Sequence, residues 1–182
     1  MRLEQADLRL PTLAEINRAH DRTIEEFGGL GGFKDARLLE SAIEATRMKL
    51  YYQPEDTLLQ VAVGLAYRLI KNHVYTDGNK RTAALAMELT LFHNGYYLDL
   101  PPGLLEEWMR MLEASNSTTE ASVQEEVASV AETLLRRRFG SPTDMNPTRV
   151  RWKDVPANPL SWKAVGRVSS RIWSSRRRFW PF

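Results

Sequence analysis

The chain has 182 residues, of which 43% are hydrophobic, so it can bury one core and is too apolar to be a disordered chain. It contains no cysteine, which excludes disulfides, thiolate metal sites and cysteine nucleophiles. No segment approaches the roughly 18 continuous apolar residues of a membrane-spanning helix, and the N-terminal segment lacks the apolar run of a signal peptide. These features predict a soluble cytoplasmic protein.

The net charge of +2 conceals a sharp change in composition near Gly140. Residues 141–182 hold nine Lys+Arg and two acids, a net charge of +7. Residues 1–140 hold 16 Lys+Arg and 21 acids, a net charge of −5. Four of the five tryptophans also lie in 141–182, among five prolines and without a helical or strand period. The pattern predicts a folded domain at 1–140 and a basic, disordered or non-native tail. Alternatively, the Arg and Trp side chains of the tail contact RNA.

Two amphipathic helices begin the domain. The first is predicted to open at Pro11-Thr12 and to end at the glycines of GGLGGF (28–33), which is interpreted as a C-cap and mobile turn. Asp35 is suited to cap a second helix that reaches about Leu50. The side chains expected to face the core are Leu13, Ile16, His20, Ile24 and Phe27 in the first helix, and Leu38, Leu39, Ala42, Ile43 and Ala45 in the second.

Two helices that are apolar nearly all round follow, and they should be buried at the centre of the domain. The third carries Pro54 in its first turn and ends near Asn72, while the fourth begins near Asn79 and stops at Asn94-Gly95. Shorter amphipathic helices are expected at 103–114 and 120–138. The only strand candidates are 1–10 and Tyr96–Leu100. The predicted class is all-α, a compact bundle of about six helices.

The loop HVYTDGNKRTA (73–83) gathers polar groups over the N-terminus of the buried fourth helix. Open N–H groups and the helix dipole favour an anion at that position, and Lys80 and Arg81 would oppose the dipole unless phosphate lay between them. His73 is a base that titrates near neutral pH, and Asp77 offers the oxygen ligands that Mg²⁺ prefers. The loop therefore favours phosphate handling. A plain interhelical turn capped by its own polar side chains, with His73 as a helix-end residue, is the alternative.

HVYTDGNKRTA resembles the active-site motif of the Fic/Doc superfamily: a histidine, an aromatic two residues later, an acid at the fifth position and an asparagine-cation run. INRAHDRTIEEFGGLGGFKDARLLESAI before it, and ELTLFHNGYYLDL and VAETLLRRRFG after it, are similar to the Doc (death-on-curing) toxin branch. The resemblance covers about residues 10–140. It implies the Fic/Doc fold and a catalytic domain at 1–140.

The resemblance also implies residue roles. His73 corresponds to the general base that acts on a target hydroxyl, and Asp77 to the acid that holds Mg²⁺. The positions implied in nucleotide and phosphate binding are Gly78, Asn79, Lys80 and Arg81. Tyr75 corresponds to the aromatic that packs the loop.

A specific function follows from the Doc resemblance. It implies a toxin of a toxin–antitoxin system that transfers a phosphoryl group from ATP to a Ser/Thr hydroxyl of a translation elongation factor resembling factor Tu, which arrests translation. Mg²⁺ would be the cofactor and a Phd-like antitoxin the partner. AMP-transferring Fic members have glycine at the position of Lys80 and arginine at that of Ala84, so phosphate transfer is favoured, although Gly78 is typical of those members. AMP transfer and a non-catalytic binding protein are the alternatives.

Overall fold

The structure, a computed structural model, describes residues 8–137. The expectations for the tail at 141–182, for Arg138 and for the first seven residues of the N-terminal strand candidate lie outside the described residues. Six helices and one short strand pair make up the part described, which confirms the predicted all-α bundle. The elements are α1 (Leu13–Phe27), α2 (Ala36–Tyr52), α3 (Leu58–Asn72), α4 (Asn79–His93), β1 (Tyr96–Leu98), α5 (Leu104–Ala114), α6 (Glu120–Leu134) and β2 (Leu135–Arg137).

Helix α3 forms the centre of the domain, as its apolar sequence predicts. It packs against α2, α4, α5 and α6, and Val63, Leu65 and Ala66 are fully buried within it. Helix α4 lies between α3 and α1, with Ala83 and Met87 fully buried. Burial of these two apolar helices fixes the α3–α4 loop at the edge of the core. No helix among residues 8–137 is long and apolar enough to cross a membrane.

Local sequence signals place several helix ends correctly. Thr12 caps α1 in a reciprocal capping box with Glu15, and the Asp35 side chain accepts from the Arg37 N–H at the start of α2. The C-terminal end of α4 at Asn94-Gly95 is also confirmed. Two core assignments were wrong, since Leu13 is 41% exposed and Ala45 is exposed, with its neighbour Thr46 buried instead.

Pro54 does not lie in the first turn of α3, as the sequence pattern predicted. It lies in the turn after α2, and α3 begins four residues later at Leu58. The N-cap is Thr57, whose hydroxyl accepts from the Gln60 N–H while the Gln60 side chain accepts from the Thr57 N–H. This capping box satisfies two N–H groups at once and so determines where the helix starts.

The last helix is shorter than predicted. Helix α6 ends at Leu134, and residues 135–137 form β2, which pairs antiparallel with β1 in the register Leu98↔Leu135. Strand β1 confirms the first half of the candidate at 96–100. Residues 8–10 are not a strand, because Asn94 holds this segment by accepting from the Arg9 N–H at 3.0 Å and donating to the Arg9 carbonyl at 2.9 Å.

Candidate functional site

His73 ends α3 as its C-cap in the left-handed conformation, with φ 47° and ψ 52°. Among the described residues it is the only non-glycine with positive φ. Its N–H donates to the Ile70 carbonyl at 3.2 Å, and its side chain is exposed. The imidazole forms no hydrogen bond or ion pair with any other described residue, so both ring nitrogens are available to a ligand or substrate.

The residues after His73 turn back into the protein. Val74 and Tyr75 are fully or almost fully buried, and the Asn79 side chain holds the Tyr75 backbone on both sides. Asn79 Oδ1 accepts from the Tyr75 N–H at 2.9 Å, and Asn79 Nδ2 donates to the Tyr75 carbonyl at 2.8 Å. Both polar atoms of the predicted phosphate ligand Asn79 therefore stabilise the loop itself.

Aromatic rings support the loop from the protein side. Tyr75 stacks on His20 at 3.7 Å between ring centroids and on Phe33 at 5.1 Å, and its hydroxyl donates to Asn17 Oδ1. His20 is 1% exposed, which confirms that it is a core histidine, and burial lowers its pKa. Burial also raises the pKa of Tyr75, so its hydroxyl stays protonated and can serve as a donor.

The one hydrogen bond that the His20 ring forms with another described residue leads back to the loop. His20 Nδ1 lies 3.2 Å from Thr82 Oγ1, and Thr82 donates its own proton to the Gly78 carbonyl. Nδ1 therefore carries the ring proton of neutral His20, and Nε2 has no hydrogen-bond partner within residues 8–137. The ring is thus a neutral packing element connected to the start of α4.

Asp77 has a half-exposed side chain, 48% accessible, directly before α4. Its Oδ1 accepts from the Gly78 N–H at 2.5 Å and lies 3.9 Å from Arg81 Nη2. The described part of the chain holds no cluster of three or more metal-binding side chains. An ion here would have one protein carboxylate and would take its other ligands from phosphate and water, which is a common arrangement for Mg²⁺. The residues present therefore fit Mg²⁺ held jointly with a nucleotide.

The N-terminus of α4 has no side-chain cap. Gly78 occupies the N-cap position with φ 72° and, having no side chain, forms no cap hydrogen bond. A Cβ at position 78 would lie 3.3 Å from Ile24 Cδ1, so glycine also allows α1 to pack closely here. The first-turn N–H groups of α4, at the positive end of the helix dipole and six to eight residues after His73, match an anion site.

Arg81 and Lys80 differ from the simple picture of two cations facing one phosphate. Arg81 is 5% exposed, and its Nη1 donates to the carbonyls of Thr23 (3.2 Å) and Gly28 (3.0 Å) at the end of α1. Lys80 Nζ donates to Glu113 Oε2 at 2.9 Å. The six predicted residues therefore lie on the α3–α4 loop and the first turn of α4, and most of their polar atoms already have protein partners.

Two further residues complete the neighbourhood, and no pattern in the sequence connects either of them with the motif. Glu113 lies on α5, far along the chain from the motif, and Gly29 lies in the turn between α1 and α2. Only the tertiary structure brings them to the loop. Ala84, where AMP-transferring members have arginine, is 1% exposed and belongs to the core.

Comparison with known proteins supports the motif. Residues 10–91 match the Fic/DOC family, a range that contains the whole α3–α4 loop. The chain is also 32% identical over 127 residues to a protein named "Protein kinase doc" from Escherichia phage P1, an alignment that covers 70% of this chain and 93% of that protein. The chain belongs to the Doc branch of the Fic/Doc family. The resemblance seen in HVYTDGNKRTA is thus confirmed by similarity well beyond the motif.

Proposed function

We propose that this Fic/Doc protein is the toxin of a toxin–antitoxin system and transfers the terminal phosphoryl group of ATP to a Ser/Thr hydroxyl of a translation elongation factor resembling factor Tu. The observation that carries the proposal is the position of His73: an exposed imidazole without a hydrogen-bond partner among residues 8–137. Its backbone holds it six residues before the start of α4, a helix whose N-cap residue provides no side-chain cap. The phage relative is named a protein kinase, which supports the same reaction class.

In the proposed reaction, His73 accepts the proton of the target hydroxyl as the hydroxyl oxygen forms a bond to the γ-phosphorus. The bond between that phosphorus and the β–γ bridging oxygen breaks, and ADP leaves with the electron pair. Little covalent chemistry is asked of the protein, because phosphoryl transfer depends mainly on positioning and charge neutralisation. The loop, which the Asn79 side chain holds by two hydrogen bonds to the Tyr75 backbone, contributes the positioning.

Charge neutralisation would come from three sources. The first-turn N–H groups of α4, with Gly78 allowing close approach, would receive the phosphates. Lys80 would add a positive charge at the same helix end, and Arg81 would act mainly by holding α1 against the loop. Mg²⁺, held by Asp77, would neutralise phosphate oxygens when bound.

The partners are also proposals. We expect a Phd-like antitoxin that blocks the site and a protein substrate in the cytoplasm. Leu30 (69% exposed) and Phe33 (42% exposed) lie in the turn beside the α3–α4 loop. They give this turn an apolar surface suited to protein contact. The division into a catalytic domain at 1–140 and a basic tail at 141–182, with RNA contact through the tail, rests on composition.

Labelled ATP tests the proposal directly. The protein is incubated with a cell lysate and either γ- or α-labelled ATP, and the labelled protein is identified. Label from γ-ATP alone on an elongation factor is the expected result. Label from α-ATP would favour the runner-up, AMP transfer, for which Gly78 is the supporting residue. No label from either donor would favour a non-catalytic binding protein.

A further inference from the structure

The turn between α1 and α2 is hydrogen-bonded to the α3–α4 loop, which carries His73 and Asp77. The Lys34 N–H donates to the Val74 carbonyl and the Thr76 N–H to the Gly32 carbonyl, both at 3.0 Å, so the two segments are joined in antiparallel register around Phe33 and Tyr75. The turn is therefore bonded to the motif, and the interpretation of GGLGGF as a C-cap and mobile turn is incomplete.

The other end of this turn is fixed by a buried guanidinium. Arg81 Nη1 donates to the carbonyls of Thr23 and Gly28, and its Cζ lies 6.0 Å from the centre of the Phe27 ring. Arg81 comes from the first turn of α4, so it links the end of α1 to the motif. With both ends of the turn fixed, the position of Gly29 relative to the loop is determined.

Gly29 is in contact with the Asp77 carboxylate. A Cβ added at position 29 would lie 2.4 Å from Asp77 Oδ2, 3.2 Å from its Cγ and 3.1 Å from Arg81 Nη2. The other glycines of the turn, Gly28, Gly31 and Gly32, would meet no atom within 4 Å. The close approach is therefore specific to position 29, and it concerns the acid proposed to hold Mg²⁺.

We infer that Gly29 is a positioning residue for Asp77. The Gly78 N–H donates to Asp77 Oδ1, and the Gly29 backbone lies against Asp77 Oδ2. The orientation of the carboxylate therefore depends on the absence of a side chain at position 29. A methyl group there would displace the end of the short Asp77 side chain. The consequence for metal binding rests on the proposed function, whereas the contact itself does not.

Three alanine substitutions separate this role from backbone strain. Gly29→Ala adds both the contact and strain, because φ is +121°. Gly32→Ala adds strain without the contact (φ +99°), and Gly31→Ala adds neither. Affinity for Mn²⁺ is measured by calorimetry in the presence of a non-hydrolysable ATP analogue, together with the thermal midpoint of unfolding. Gly29→Ala should weaken Mn²⁺ binding by about 10- to 100-fold, as other residues that orient metal ligands do.

Gly32→Ala should lower the thermal midpoint while leaving Mn²⁺ affinity unchanged, and Gly31→Ala should change neither. Equal losses of Mn²⁺ affinity in Gly29→Ala and Gly32→Ala, or no loss in either, would overturn the inference. In an Asp77→Ala background the thermal cost of Gly29→Ala should fall towards that of Gly32→Ala, because the obstructing carboxylate is gone. This double-mutant cycle needs no metal. It also tests the inference if Gly29→Ala alone is too unstable for the binding measurement.

Different results would contradict the metal role of Asp77 and the contact between Gly29 and Asp77. A wild-type protein that binds no Mn²⁺ with the ATP analogue would contradict the proposed metal role of Asp77, while the thermal coupling between positions 29 and 77 would still show the contact. Absence of that coupling would contradict the inference, whatever the metal affinity of the wild type.

Discussion

Lys80 Nζ lies 2.9 Å from Glu113 Oε2, so a cation of the motif is paired with an acid at the end of α5. Lys71, two residues before His73, donates to the carbonyls of Glu113 and Ser115 in the same region. The C-terminal end of α5 therefore provides negative charge to lysines on both sides of the proposed base. A phosphate bound at the start of α4 would compete with Glu113 for Lys80.

Removing this competitor should strengthen nucleotide binding. The pair is partly exposed, 29% at Lys80 and 43% at Glu113, so we expect Glu113→Gln to improve ATP affinity by no more than about 1 kcal/mol, or roughly fivefold. Titration with a fluorescent ATP analogue measures the change. Glu107→Gln removes an exposed acid near the other end of α5 and is the matched control. A gain that persists when Lys80 is replaced by Ala would show that Lys80 is not involved.

The wild type should transfer the γ-phosphate of labelled ATP. Substitution of Lys80 tests whether this side chain determines which phosphate is transferred. If Lys80 disfavours the nucleotide pose used for AMP transfer, Lys80→Gly should shift part of the label to the α-phosphate. Restoring the family arginine at position 84 is a poor test, because Ala84 is buried and a guanidinium there would disrupt the core. Transfer of α-label alone by the wild type would contradict phosphoryl transfer and leave the fold untouched.

His73 should be essential for transfer and dispensable for folding. His73→Asn removes the base while keeping a residue that tolerates the left-handed conformation at the end of α3. The rate of transfer from γ-labelled ATP should fall by ~10²–10⁴, with little change in the thermal midpoint. A folded His73→Asn variant that transfers label at the wild-type rate would exclude His73 as the general base.

Asp77→Asn tests the metal. The amide can still accept a hydrogen bond from the Gly78 N–H, but it lacks the charge that holds Mg²⁺ on the phosphates. Transfer should collapse, and neither more ATP nor a change in pH should restore it. The rate is measured over a range of Mg²⁺ concentrations. An unchanged Mg²⁺ requirement in Asp77→Asn would leave Asp77 as a turn residue only.

Local signals in the sequence explain what could be predicted, and tertiary contacts explain the rest. The caps at Thr12 and Asp35 depend on neighbouring residues, so the sequence places those ends well. The helical pattern of the last predicted helix continues through the residues of β2. They form a strand only because they pair with β1, which lies far away along the chain. For the site, the motif located the loop, but the burial of Arg81 under the carbonyls of α1 is produced by packing between helices.

His20 should make the stability of the domain depend on pH. Its ring is buried against Tyr75, and this burial lowers its pKa below the ordinary value of 6.5. The nearby carboxylates of Asp21 and Asp77 act in the opposite direction, while Arg81 adds to the lowering. The folded state therefore resists a proton that the unfolded chain accepts near pH 6.5.

The sign of the effect follows from this difference in proton binding. The contribution of neutral His20 is fully present above pH 6.5 and is lost as the pH falls below that value, by up to about 1.4 kcal/mol per pH unit until the folded pKa is reached. His20→Phe keeps a ring for Tyr75 to stack on and removes the titration. Urea unfolding at pH 7.5 and 5.5 should therefore show a larger loss of unfolding free energy in the wild type than in His20→Phe. An equal loss in both proteins would assign the pH dependence to other groups.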